Sequence, residues 1–175
     1  MNKYLINLIK DDDVDGLQYF TDYFKSEDSP LHIFSKRWHI GKGEMQCRRD
    51  QLQSVINSIN EIENNENSIL LHFLGHGVRD GIGIEFISYK SLNDMLMPLA
   101  RRHQLYINIM NTCYSYGMLG KECYKVLMYS EGEVNDIYSP FRIYENEDNI
   151  KNEESFENFT QIFQVPNLRI NIKEE

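Results

Sequence analysis

The run SILLHFLGHG at residues 68–77 decides how this chain folds, because it is almost continuously apolar and ends in a Gly-His-Gly turn. Continuous apolar strands are typical of parallel sheets, in which both faces of each strand are covered. A second run, LYINIM at 105–110, follows, and residues 92–99 between them carry four apolar side chains at helical spacing. We therefore predict two parallel strands joined by a right-handed helical crossover.

The same alternation of strands and helices extends outward from this unit. We predict further elements as follows: strands at 4–9 and 31–34, a helix at 17–24, a long helix from Gly43 to about Glu63, a strand at 124–129, a short helix around 156–163 and an edge strand at 168–172. The Glu-, Asp- and Asn-rich stretch 131–154 is predicted to be a long surface connection, and the acidic part 145–157 a solvated loop.

This pattern predicts one α/β domain over residues 1–175, a three-layer sandwich with a mostly parallel central sheet and helices on both faces. Residues 1–130 would form the core sheet and its helices, and 131–175 substrate-side loops and C-terminal elements. The length of 175 residues suits a single compact domain.

Composition narrows the classes of function. The net charge of −9 argues against a nucleic-acid binder, and no apolar run is long enough to span a membrane. The cysteines Cys47, Cys113 and Cys123 form no C-x-x-C pair, and the N-terminus does not resemble a signal peptide. We therefore expect a protein of the reducing cytoplasm.

The chemistry is predicted to lie where the two best strands end. His76 follows the first strand, and Cys113 follows the second within Asn111–Ser115. Because parallel strands end at the same edge of a sheet, His76 should meet Cys113, take its proton and generate a nucleophilic thiolate. The N–H groups of Gly77 and Cys113 would then hold an oxyanion. Taken alone, His76 is more simply explained as part of a Gly-rich turn, and Cys113 as a small buried apolar residue. Their joint placement at the ends of two buried strands favours catalysis.

These two motifs together resemble the caspase-like cysteine peptidases, which include caspases, metacaspases, separase, gingipain-type proteases and bacterial CHAT-domain proteases. The likeness is greatest to the CHAT group, in which one apolar strand ends in His-Gly and a later one in Asn-x-Cys-x-Ser. Residues 69–77 and 107–115 carry this likeness, which covers about 4–115 and the strand at 124–129. The resemblance implies a His76–Cys113 dyad that hydrolyses peptide bonds without a metal.

The resemblance also has implications for the substrate and for regulation. The caspase signature Gln-Ala-Cys-x-Gly is absent, so a specificity for aspartate is not expected. Metacaspase-like members bind a basic P1 side chain with an Asp at the position of Asn111, whereas an acidic cluster here occupies the loop that shapes the S1 pocket. We expect a basic P1 residue bound by Asp11, Asp13, Asp15 and Asn111, with Ser115 shaping the pocket. CHAT-type proteases also imply an activating protein partner and a role in bacterial defence.

Three alternatives remain open. A caspase-like interaction module without catalysis would explain the missing acid at Asn111. A calcium-binding regulatory protein is suggested by the EF-hand-like spacing of Asp11–Asp22, although Gln18 stands where an apolar residue normally packs. A metal pair of His72 and His76 is less favoured than a hydrogen-bonded core His72. Tyrosine phosphatases fit less well because they require Arg at the position of Leu119. Class I glutamine amidotransferases and α/β-hydrolases also fit less well, because they place the catalytic His after the nucleophile in chain order.

Overall fold

A five-stranded, mostly parallel sheet forms the centre of the protein. The structure, a computed structural model, describes residues 1–8, 49–65, 67–83, 86–134 and 139–174. Its strands and α-helices in chain order are β1 (Asn2–Asn7), α1 (Arg49–Ile62), β2 (Ser68–Leu74), β3 (Gly77–Val78), β4 (Gly81–Ile82), β5 (Ile87–Ser88), α2 (Tyr89–Ala100), β6 (Gln104–Asn108), β7 (Val126–Ser130), α3 (Glu153–Ile162) and β8 (Leu168–Ile172).

The sheet has the spatial order β1-β2-β6-β7-β8. The first four strands are parallel to one another, and β8 is antiparallel to β7 at the edge. The predicted α/β class with a mostly parallel sheet is therefore confirmed, as are the strand near 124–129 and the edge strand at 168–172. Strands β2 and β7 are buried almost throughout, which explains their apolar sequences.

Protein covers the sheet on both faces. Successive side chains of β1 point to opposite faces of the sheet. The contacts of two adjacent β1 residues therefore show which elements lie on each face. Tyr4 donates its hydroxyl hydrogen to Glu63, directly after α1, at 2.5 Å, and α2 packs against α1. On the other face Lys3 Nζ lies 5.9 Å from the ring centroid of Tyr144, in the segment that leads to α3. Helices α1 and α2 thus lie on one face and the C-terminal segment on the other.

The helices form where the apolar spacing predicts them. Helix α1 buries Leu52, Val55, Ile56 and Ile59 against the sheet, whereas Ile62 at its end is 38% exposed. In α2 the side chain of Ser88 caps the first turn by accepting a hydrogen bond from the Ser91 N–H. No helix within the described ranges is long and apolar enough to cross a membrane.

The stretch 131–154 differs from the predicted surface connection. Two 3₁₀ turns, Ser139–Glu145 and Glu147–Ile150, lie within it, and they bury Ile143, Tyr144 and Ile150. Residues 145–149 are mostly exposed as predicted, but 153–157 open α3 rather than continuing the loop. The prediction was wrong because irregularly spaced apolar side chains among many acidic ones give no periodic signal. Ile143, Tyr144 and Ile150 are nevertheless buried, and their segment covers one face of the sheet.

The sequence also gave no sign of the small antiparallel sheet β3-β4-β5, which is built from two-residue strands. It fills the connection between β2 and α2 and therefore lies directly after His76. The predicted helix at 17–24, the strand at 31–34 and the first residues of the long helix lie outside the described residues, as does Cys47.

Candidate functional site

The two strands that carry the predicted dyad are parallel neighbours. Strand β2 pairs with β6 in a register that runs from Ser68 opposite Gln104 to His72 opposite Asn108. Counting on from this register, residue 76 lies level with residue 112. The carboxyl ends of both strands therefore meet at one edge of the sheet, as predicted, and the turn after β2 adjoins the turn after β6.

Gly77 shows how closely these two turns approach each other. A Cβ atom added to Gly77 would overlap the Thr112 methyl group and the Cys113 carbonyl oxygen, and would lie 3.3 Å from the Cys113 nitrogen. Only glycine leaves room for this contact between backbones. The residue directly after His76 therefore packs on the backbone of Cys113. His76 itself is exposed, and its carbonyl accepts a hydrogen bond from the Gly83 N–H at 2.8 Å.

Cys113 occupies a half-buried position at the start of a sharply turned loop. The next residue, Tyr114, has a φ of 55°, which is uncommon for a residue with a side chain and is a conformation found at functional sites. Its N–H donates to the Gly132 carbonyl at 2.9 Å, and the Val134 N–H donates to Cys113 Sγ at 3.3 Å. Among the described residues the Cys113 thiol forms no disulfide bond.

Cys123 has the environment of a structural cysteine. It is 2% exposed, and burial raises the pKa of its thiol to about 12. Because the thiolate is the reactive form, this side chain packs rather than reacts, as predicted.

Ser115 supports the cysteine loop from below. Its hydroxyl is fully buried, donates to the Ile109 carbonyl at 2.9 Å and accepts from the Ser130 N–H at 2.8 Å. These two bonds tie the loop to the ends of β6 and β7. Ser115 thus holds the shape of the turn that presents Cys113, and its predicted part in the substrate pocket stays a prediction.

Asn111 belongs to a chain of buried polar groups beneath the same edge. Asn108 donates to the Tyr144 hydroxyl at 2.7 Å, and Tyr144 lies 2.5 Å from His72 Nδ1. His72 Nε2 lies 2.8 Å from Asn111 Oδ1. Because Asn111 Oδ1 can only accept, His72 Nε2 carries a hydrogen and donates it to Oδ1. His72 Nδ1 is then unprotonated and accepts a hydrogen bond from the Tyr144 hydroxyl. Asn111 is also a predicted substrate-binding residue. Its amide oxygen already forms a hydrogen bond with His72, and its contact with substrate stays a prediction.

His72 is the hydrogen-bonded core histidine that the sequence favoured over a metal ligand. It is fully buried, and burial lowers the pKa of its imidazole to about 3, against an opposing effect of the Asn111 hydrogen bond. Both ring nitrogens bond protein groups. In the described parts of the chain no group of three His, Cys, Asp or Glu side chains is arranged to hold a metal ion.

Sequence reasoning missed the partners of His72. Asn108 and His72 are polar residues within apolar strands, and the register places them opposite each other, so their polarity was the available signal. Tyr144 gave no such signal, because it lies in the acidic stretch 131–154 that was predicted to be a surface connection. The acidic residues Asp11, Asp13 and Asp15, and with them the EF-hand-like loop, lie outside the described residues.

Comparison of the chain with models of protein families, with curated proteins and with solved structures finds no match. The function is therefore inferred from the geometry of this edge of the sheet.

Proposed function

We propose that the protein is a cysteine endopeptidase with Cys113 as nucleophile and His76 as general base. The observation that carries the proposal is the contact of Gly77 with the backbone of Cys113, which brings the His76 turn against the cysteine loop. The free, half-buried thiol at the end of β6 adds to this support. Sites in α/β proteins gather at this edge of the sheet.

In the proposed reaction His76 accepts the proton of the Cys113 thiol, and the thiolate attacks the carbonyl carbon of the scissile peptide bond. The N–H groups of Gly77 and Cys113 stabilise the resulting oxyanion. The C–N bond then breaks, and His76 returns the proton to the leaving amine. Water attacks the acyl-enzyme, again with His76 as base, and releases the carboxylic acid and the free thiol.

A polypeptide substrate is supported by exposed apolar side chains on the elements around the dyad. Val78 is 54% exposed two residues after His76, and Tyr114 is 38% exposed directly after Cys113. Phe86 and Leu119, on the neighbouring loops, are 46% and 40% exposed. Contiguous exposed apolar groups mark surfaces that bind another protein or peptide, and we propose that these four side chains form such a surface.

The caspase-like fold and the likeness to CHAT-type proteases are part of the proposal. They are supported by the parallel order β1-β2-β6-β7 and by a His that precedes its Cys in the chain. From this resemblance we also propose a separate activating protein and a role in bacterial defence. A cytoplasmic setting is proposed from the spacing of the cysteines and the character of the N-terminal residues. A basic P1 residue is proposed from the acidic residues at 11–15.

The test is cleavage of a fluorogenic peptide library by the wild type, by Cys113→Ala and by the matched control Cys123→Ala, each with and without cell lysate as a source of activator. We expect turnover that disappears only in Cys113→Ala, with basic residues preferred at P1. Equal turnover in Cys113→Ala and the wild type would refute the dyad. No turnover in any sample, together with equal alkylation of Cys113 and Cys123, would favour a non-catalytic interaction module.

A further inference from the structure

The loop that follows β7 is held against the loop that carries Cys113. Ser130, the last residue of β7, is fully buried. Its hydroxyl donates to the Gly132 carbonyl at 2.9 Å and accepts from the Gly132 N–H at 3.2 Å. The same carbonyl accepts from the Tyr114 N–H at 2.9 Å. The Ser130 hydroxyl therefore fixes the carbonyl that bonds the cysteine loop.

Contacts around the start of β8 hold this loop from the other side. The Glu131 N–H donates to the Asn167 carbonyl at 2.9 Å, and Glu131 Oε2 lies 3.3 Å from Arg169 Nη2. A Cβ atom added to Gly132 would lie 3.2 Å from Asn167 Nδ2, which is tighter than an ordinary contact. Residues 130–132 are thus fixed on two sides, so the path of the residues that follow is constrained as well.

The loop directs one backbone N–H at the proposed nucleophile. Val134 is half-buried, and its N–H donates to Cys113 Sγ at 3.3 Å. A neutral thiol is a weak acceptor, whereas hydrogen bonds to an ionised acceptor are about twice as strong as those between neutral groups. A donor fixed in this place therefore favours the thiolate over the thiol.

We propose that the Val134 N–H stabilises the Cys113 thiolate and that the loop 130–134 is the support that holds this donor in place. The proposal rests on the proposed function, in which His76 removes the thiol proton. No proton leaves Val134 in this step. Because the hydrogen bond stabilises the negative charge, it increases the fraction of thiolate and lowers the nucleophilicity of each thiolate.

Titratable side chains near Cys113 also affect its ionisation, so the test must leave them unchanged. They include His76, on the turn whose Gly77 packs on Cys113; Tyr89, at the start of α2; Tyr114 and Tyr116, which follow Cys113; and Glu133, beside Val134. A change confined to the backbone at Val134 keeps all of these side chains, so a change in the reactivity of Cys113 then reports the N–H.

The test replaces the Val134 peptide N–H with an ester oxygen, which deletes the donor and leaves every side chain unchanged. Cys123 makes this possible, because a synthetic C-terminal segment can be joined to the rest of the chain at that cysteine. The matched control is the same ester at Val165, whose N–H donates to the Thr160 carbonyl at 3.0 Å after α3. Both variants contain the same hydroxy acid and lose one backbone hydrogen bond. The reference is the all-amide chain made in the same way.

The rate at which Cys113 forms a mixed disulfide with a dipyridyl disulfide is measured against pH by mass spectrometry, and melting temperatures show which variants are folded. In the Val134 ester we expect the midpoint of the profile to rise by about one pH unit, since hydrogen bonds to charged groups contribute about that much. The plateau at alkaline pH should rise by about threefold, because a thiolate without its donor is the stronger nucleophile. The Val165 ester should keep the reference profile.

An unchanged midpoint in the Val134 ester, or an equal shift in both esters, would overturn the proposal. A midpoint that rises while the plateau falls would also overturn it, because Cys113 would then have lost access to the reagent rather than a donor. If the Val134 ester does not fold, Ser130→Ala takes its place, since it removes the hydroxyl that fixes Gly132 and keeps the bond of the Ser130 N–H to Ser115. The midpoint should then rise in Ser130→Ala, and a midpoint equal to that of the wild type would overturn the proposal.

Peptide cleavage, measured with cell lysate as a source of activator, separates this proposal from the proposed function. Cleavage without a shift in the midpoint refutes the Val134 donor alone. A shift in the midpoint without cleavage by any sample, the reference included, refutes the peptidase and leaves the thiolate donor in place.

Discussion

Replacing Gly77 with alanine tests the geometry on which the site depends. The new Cβ would overlap the Thr112 methyl group and the Cys113 carbonyl oxygen, and one of these is backbone that cannot rotate away. The two turns would have to separate by about 1 Å to restore ordinary contact distances. Overpacking of this kind costs about 1–3 kcal/mol, which lowers the melting temperature of a domain of this size by about 2–12 °C.

The same displacement should have a far larger effect on catalysis than on stability. A misplacement of about 1 Å between reacting groups costs about 100-fold in rate, so peptide cleavage by Gly77→Ala should fall by about that factor. Gly120→Ala is the matched control, because Gly120 has a φ of 80° and no atom within 4 Å of the added Cβ. Its backbone strain costs about 1–2 kcal/mol without moving the two turns.

The assay is cleavage of the best library peptide, with the melting temperature of each variant measured by calorimetry. We expect comparable losses of stability in the two variants and a loss of cleavage in Gly77→Ala alone. If Gly77→Ala cleaves within twofold of the wild type, the close approach of the turns is not required. If Gly120→Ala lost as much activity as Gly77→Ala, the loss of stability alone would explain both losses of activity, and the contact of the turns would have no specific role.

Two further predictions concern the groups that support the site. Ser115→Ala leaves the buried Ser130 N–H without its acceptor. The free energy of unfolding, measured in urea, should therefore fall by about 1–3 kcal/mol. A change below about 0.5 kcal/mol would contradict the role of Ser115 in holding the cysteine loop. The pKa of His72 is about 3 in the folded protein and about 6.5 when unfolded, so the unfolded chain binds more protons between these values. Stability should therefore fall as pH drops from about 6.5 towards 3, by at most about 1.4 kcal/mol per pH unit. His72→Gln should show a flatter dependence in urea titrations, and equal slopes would rule out His72 as the source.

The sequence alone determined the fold class and the edge of the sheet at which to look for chemistry. The apolar runs at 68–74 and 105–110 are typical of buried strands, and the helical spacing between them predicts the parallel crossover that the structure has. Given that topology, His76 and Cys113 must emerge at the same edge. These inferences need only the local periodicity, which can be read from the order of residues, and the general rules of how strands and helices are connected.

Only the tertiary structure decided how the site is held together. The contact of Gly77 with Cys113 and the reach of Tyr144 to His72 each join residues far apart in the chain. Single side chains like these leave no periodic pattern, since one buried tyrosine in an acidic stretch resembles a surface residue. Their positions follow from packing between the layers of the fold. This packing brings together residues that are distant in the chain, and local sequence patterns do not predict it.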